Sequence, residues 1–150
     1  MSKHEDADLI LKLYELRREA VMRDARNWFF TFNPTGVQDF VDLMMSDKNA
    51  YYRMVVSYWE MAATLVNHGA IDEQMFNEAN GEHMFIFSKI EPFIPELKKA
   101  FGMTEYLPNL EKLIANTPNS AERLNDIRER MKQIAKMREE YAAKAKAAEA

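Results

Sequence analysis

The stretch Tyr51-Tyr52-Arg53-Met54-Val55-Val56-Ser57-Tyr58-Trp59-Glu60-Met61-Ala62-Ala63-Thr64-Leu65-Val66 contains four plainly polar side chains, Arg53, Ser57, Glu60 and Thr64. Their spacings of four, three and four put them on one narrow line of an α-helix. Every other direction is apolar, and a helix apolar around most of its circumference is a buried, central one. A helix over about 50–67 is therefore predicted to be the axis of the fold. Asn67-His68-Gly69 ends it, with Gly69 free to take the left-handed conformation that closes many helices.

Reading toward the C-terminus, Asp72 is a good N-cap, and Ile71 and Phe76 have the spacing of a hydrophobic staple. Gly81 stops that helix, and the next, about 82–91, carries Met84, Phe85, Phe87 and Ile90. Pro92 and Pro95 predict a kink and a short turn ending at Gly102, because proline lacks an N–H and restrains the residue before it. Pro108 is placed as the first residue of a small helix with Leu110, Leu113 and Ile114. After Asn116-Thr117-Pro118-Asn119, a capping-box spacing between Asn119 and Glu122 opens a last helix that runs to about residue 147.

Toward the N-terminus, a long helix is expected from an N-cap at Asp6 to about Phe32. It carries Ile10, Leu13, Leu16, Ala20 and Val21, then Trp28, Phe29 and Phe32. Asn33-Pro34-Thr35-Gly36 breaks it before a short helix with Val37, Phe40, Val41 and Met44. No segment reads as a strand. The expected fold is all-α, a compact bundle of about six to seven helices whose long first and last helices lie alongside one another as a stem. Residues 1–119 form the body and 120–150 the C-terminal amphipathic helix.

The chain has 150 residues, no cysteine, and 20 basic against 24 acidic side chains, a net charge of −4. One domain of this length buries a sizeable core without staples, and thiol chemistry is excluded. Residues 120–150 hold eight basic and six acidic side chains, whereas 27–119 hold six basic and twelve acidic. A nucleic-acid partner would call for a basic patch. The one helix-turn-helix look-alike, around residues 61–78, offers the acidic segment Asp72-Glu73-Gln74-Met75-Phe76-Asn77-Glu78 where phosphates would be met. No apolar run approaches the ~18 residues of a membrane span. No apolar stretch of signal-peptide length follows Met1. A cytoplasmic location is expected.

Three histidines, His4, His68 and His83, are the only imidazoles, and no Glu-x-x-His or His-Glu-x-x-His motif is present. No metal and no cofactor are expected. No nucleophile–base pair and no phosphate-cradling glycine loop stand out, so no catalytic residue is assigned. Of the eleven methionines, Met22, Met54, Met61, Met75 and Met84 sit among apolar neighbours and read as core filler, whereas Met44-Met45 lies beside a turn where exposure is open to it. The line Arg53, Ser57, Glu60 and Thr64 reads as the solvent edge of the central helix. A sharper alternative makes it the polar seam of a small-ligand binding protein or enzyme, with His68 or His83 as auxiliary groups and apolar walls from Trp28, Tyr58, Trp59 or Phe87.

The last helix has the clearest periodicity. Leu124, Ile127, Met131, Ile134, Arg138, Tyr141, Ala145 and Ala148 alternate by three and four, a heptad register in which Arg138 is the only charged member. A homodimer or a protein partner engaged through this helix, at Leu124, Ile127, Met131, Ile134, Arg138 and Tyr141, is the favoured function. No nucleic acid and no membrane span are expected.

Tyr58-Trp59-Glu60, the run Leu65-Val66-Asn67-His68-Gly69-Ala70-Ile71-Asp72 and the pair Gly81-Glu82 together resemble an uncharacterised bacterial helical family, a domain of unknown function, over about residues 9–115. Many of its members carry an N-terminal membrane segment that has no counterpart here. The resemblance implies a helical fold and assigns no activity.

Overall fold

The structure, a computed structural model, describes residues 2–149. Its helices are α1 (Lys3–Arg17), α2 (Ala20–Thr31), α3 (Val37–Met44), α4 (Asn49–Asn67), α5 (Glu73–Ala79), α6 (Glu82–Ile90), α7 (Ile94–Phe101), α8 (Pro108–Asn116) and α9 (Ser120–Glu149). A 3-10 turn at Glu91–Phe93 joins α6 to α7. There is no strand among the described residues, and the fold is all-α as expected.

Helix α4 is the axis. It packs against α2 on one side, α8 on another and α5 at its C-terminal end. Tyr52, Val55, Val56, Tyr58, Trp59, Ala62, Ala63 and Val66 are all buried. Trp59 is 1% exposed, with Tyr58, Phe76 and His83 around its ring. Gly69 takes φ +80 just past the end of α4, and Ala70 N–H closes back on Leu65 O at 2.9 Å. Glycine adopts this conformation without a Cβ penalty. Asp72 then caps α5 through Met75 N–H at 2.9 Å, and the staple residues Ile71 and Phe76 are both buried.

The N-terminal helix differs from expectation. It is two helices, because Glu19 leaves the helical region (φ −58, ψ 141). Its carboxylate accepts hydrogen bonds from Val21 N–H at 3.1 Å and Met22 N–H at 3.0 Å. Glu19 thus serves as the N-cap of α2, and these two bonds, Val21's first, hold its carboxyl below the usual range. Ser2, not Asp6, caps α1, accepting from Glu5 N–H. Asp6 is buried instead and accepts a hydrogen bond from Asp72 N–H at 3.1 Å, which ties α1 to the turn before α5.

The expected stem of paired terminal helices is also corrected. The break at Arg18 and Glu19 lets α1 turn away from α2 and lie against α5, while α9 packs on α6 and α8. The prolines after α6 yield more helix than the kink and turn expected. Pro95 sits in the first turn of α7, where the missing N–H would have had no helical partner anyway. Gly102 ends that helix at φ +65.

Replacing Trp59 with alanine should cost on the order of 3–5 kcal/mol of stability, read from urea unfolding. A loss below about 1 kcal/mol would place this side chain outside the core.

Candidate functional site

Four segments meet around a half-open cavity of about 390 Å³: α3, the N-terminal half of α4, the end of α7 and the loop 102–107. Phe40, Leu43, Tyr52, Val56, Phe101 and Tyr106 form its apolar walls. The loop leaves α7 through Gly102 and enters α8 through Leu107, both in the left-handed region, Leu107 at φ 50 and ψ 53. A residue with a Cβ in that conformation costs roughly 1–2 kcal/mol. Pro108, whose own φ is restricted, follows it.

The hydroxyls of Tyr52 and Tyr106 are hydrogen-bonded to each other on the cavity wall. Burial pushes Tyr52 well above the ordinary phenol range and raises Tyr106 as well, so both remain protonated. Only one O–H can donate across such a pair, and the other has no acceptor among the described residues. At the rim, Arg53 and Glu105 are both exposed. No carboxylate lies within ion-pairing distance of Arg53 among the described residues. Met44 and Met103, each partly solvated, complete the rim.

Of the polar line on α4, only Arg53 reaches this cavity. Ser57 is exposed and its hydroxyl turns back to Met54 O. Thr64 donates to Glu60 O at 2.8 Å. Glu60 holds the start of α8: its carboxylate accepts from Leu110 N–H at 2.8 Å, Asn109 N–H at 3.0 Å and the Asn109 amide at 3.1 Å. A carboxylate at a helix N-terminus meets free N–H groups and the positive end of the helix dipole. His68 is exposed beyond the end of α4. The seam is therefore divided between a cavity rim and a cap on α8. The walls anticipated from Trp28, Tyr58, Trp59 and Phe87 belong elsewhere: Tyr58, Trp59 and Phe87 are core, and Trp28 stacks on Phe32.

Two further polar groups lie in the interior. Glu82, at the first position of α6, is gripped by Arg26 of α2 through Nε at 2.9 Å and Nη2 at 3.0 Å, with Arg17 of α1 at 3.8 Å. One carboxylate thereby joins three helices. His83 beside it is 1% exposed between Trp59 and Phe76. Neither of its ring nitrogens has a hydrogen-bond partner in the protein. Burial, helped by the Arg123 charge, pushes its pKa down to about 4. Among the described residues no group of three or more His, Asp or Glu side chains is arranged to hold a metal ion.

On α9 the heptad stripe divides into two parts. Leu124 is buried in the core and Ile127 and Met131 pack against it. Arg128 donates from Nε to Ser88 O at 2.9 Å and pairs with Glu91 at 3.3 Å. Beyond Ile134, itself half-buried, the helix is exposed: Met137 is 65% and Tyr141 77% exposed, and Arg138 lies between them. Ile134, Met137, Arg138 and Tyr141 line a shallow groove on that free half.

The fold and its cavity define a small helical domain with no helix long and apolar enough to cross a membrane among the described residues. Residues 3–117 match the family described as Domain of unknown function (DUF4760), and the chain belongs to that family. The match ends three residues short of α9, which begins at Ser120. Comparison with curated proteins and with solved structures gave no match.

Two measurements follow from the interior groups. Glu60→Ala should destabilise by about 1–3 kcal/mol, because it leaves two backbone N–H groups at the head of α8 without their acceptor; Glu60→Gln, which keeps an acceptor, should cost less. For His83, the folded pKa of about 4 lies below the ordinary imidazole value of 6.5. The unfolded chain therefore binds the extra proton between these values, so stability is full above about pH 6.5 and declines as pH falls toward 4. Unfolding midpoints at pH 6.5 and 5 should differ in the native chain and converge in His83→Phe. An equal fall in both proteins would assign the acid sensitivity to carboxylates.

Proposed function

We propose that the protein is a self-association module in which the free half of α9 engages a second copy of the chain. The observation that carries this reading is the exposure of Met137 and Tyr141, beside a half-buried Ile134, along a helix that has left its own core. The thirty residues of α9 span about 45 Å at 1.5 Å per residue. The part beyond Met131 extends past the core as far as Glu149, and helices in proteins gain most of their stability from packing an apolar face rather than from propensity. An apolar line covered at its base and bare at its tip calls for a partner at the tip.

Charge favours a second copy over a foreign chain. Residues 120–150 carry eight basic and six acidic side chains, so of the whole chain's 20 and 24, twelve basic and eighteen acidic remain in residues 1–119. The helix is net +2 and the body net −6, and the free half of one copy is attracted to the body of another. Two copies can exchange this contact reciprocally, giving the closed two-fold symmetry common among homo-oligomers.

Light scattering should find the full chain dimeric. A variant with Ile134→Ser, Met137→Ser and Tyr141→Ser should be monomeric with an unchanged thermal midpoint when both are compared as monomers, since these side chains lie outside the core. A chain ending at Lys132 keeps Leu124, Ile127 and Arg128 in place and should behave like the variant. Salt should weaken the dimer. A full chain that stays monomeric at high concentration would overturn the reading.

A further inference from the structure

We propose that the cavity between α3, α4, α7 and the loop 102–107 binds a single-chain carboxylate, a medium-chain fatty acid, with its chain between the aromatic walls and its head group at Arg53. The volume of about 390 Å³, at the ~30 Å³ that liquid water allots to one molecule, accommodates on the order of a dozen non-hydrogen atoms. Its walls, Phe40, Val56 and Phe101 among them, offer such a chain apolar contact, and concave apolar sites with a few placed polar groups are the usual form of small-molecule sites. Met44 and Met103 at the rim have unbranched, adaptable side chains suited to a flexible aliphatic occupant.

The polar groups select the head group. Arg53 is a cation with no carboxylate partner, and the Tyr52–Tyr106 pair leaves one O–H without an acceptor. Both are donors, and an ionised carboxylate is acceptor-only. Glu105 on the loop carries the opposite charge. It repels an anion and confines the head group to the Arg53 side. An alkane of equal length gains nothing from Arg53, and an alcohol, which is uncharged, forgoes the ion pair. An amine is drawn to Glu105 and repelled by Arg53.

Decanoate, below its micellar concentration, is the probe. With the methionine methyl groups of the full chain labelled, titration should shift Met44 and Met103 saturably and leave Met137 on the free half of α9 unmoved. Arg53→Gln should weaken decanoate roughly tenfold, the low end for a hydrogen bond to a charged group, and weaken decanol far less. Glu105→Gln should tighten decanoate. Both substitutions are at exposed positions and leave the core intact; Val56→Trp, which fills the cavity, should abolish both ligands in a protein whose circular dichroism is unaltered. Equal losses of decanoate and decanol in Arg53→Gln, or shifts confined to Met137, would overturn the proposal. So would Met44 and Met103 resonances that move on dilution of the protein alone, because a second copy would then be the occupant.

Discussion

Helix α4 has apolar side chains in every direction but one, and each neighbouring helix covers a sector of that surface. Burying a single large aliphatic or aromatic side chain is worth roughly 1.5–3 kcal/mol, and α4 alone buries Tyr52, Val55, Val56, Tyr58, Trp59 and Val66. Helices α2 and α8 both pack along this surface, and α5 meets α4 after the turn at Gly69. The remaining direction is the polar line, where Glu60 meets the head of α8 and Arg53 borders the cavity.

Helices brought together by apolar area still need their ends satisfied, and here side chains of one helix repeatedly complete another. Glu60 of α4 accepts the first N–H groups of α8. Lys89 of α6 donates to Phe29 O and Phe32 O at 2.8 Å, closing the end of α2, and lies over the rings of Phe29 and Phe85. Burial lowers its pKa to about 8. Asn67 of α4 reaches Asn109 O at 2.9 Å, and Glu82 draws in Arg26 and Arg17. Helix termini leave unpaired N–H and C=O groups that cannot be buried alone. Side chains supplied from another helix allow these ends to be buried and set the relative positions of the helices at the same time.

These long-range caps also mark what could be read in the sequence. Helix α4, the staple at Ile71 and Phe76 and the proline opening α8 were legible because each depends on residues within a turn or two. The division of the N-terminal helix was not, since glutamate is an uncommon N-cap and nothing at Arg18 and Glu19 resembles a breaker. Helix α7 stands where Pro92 and Pro95 predict a turn, because a proline's effect depends on whether it falls inside a helix or in its first turn. The cavity was invisible because Phe40, Tyr52 and Phe101 are brought together only by the chain's path. Arg53 alone was singled out, by its place on the polar line. Spacing puts Arg53 and Glu60 on one line of the helix, but it does not tell that Glu60 reaches α8 while Arg53 borders the cavity.

The cap on α8 and the cavity are mechanically linked. Leu107 occupies a left-handed conformation that a leucine does not choose, and such strain persists where the surroundings over-determine it. Here two restraints act on consecutive residues: the ring of Pro108 and the carboxylate of Glu60 on Asn109 and Leu110. With the head of α8 anchored to α4 in this way, Tyr106 is delivered one residue earlier onto Tyr52, and the paired hydroxyls hold the loop against the cavity wall. The polar line of α4 thus shapes the cavity at two points, directly at Arg53 and through α8 at Glu60. The acid on the central helix is a positioning residue for a cavity it does not touch.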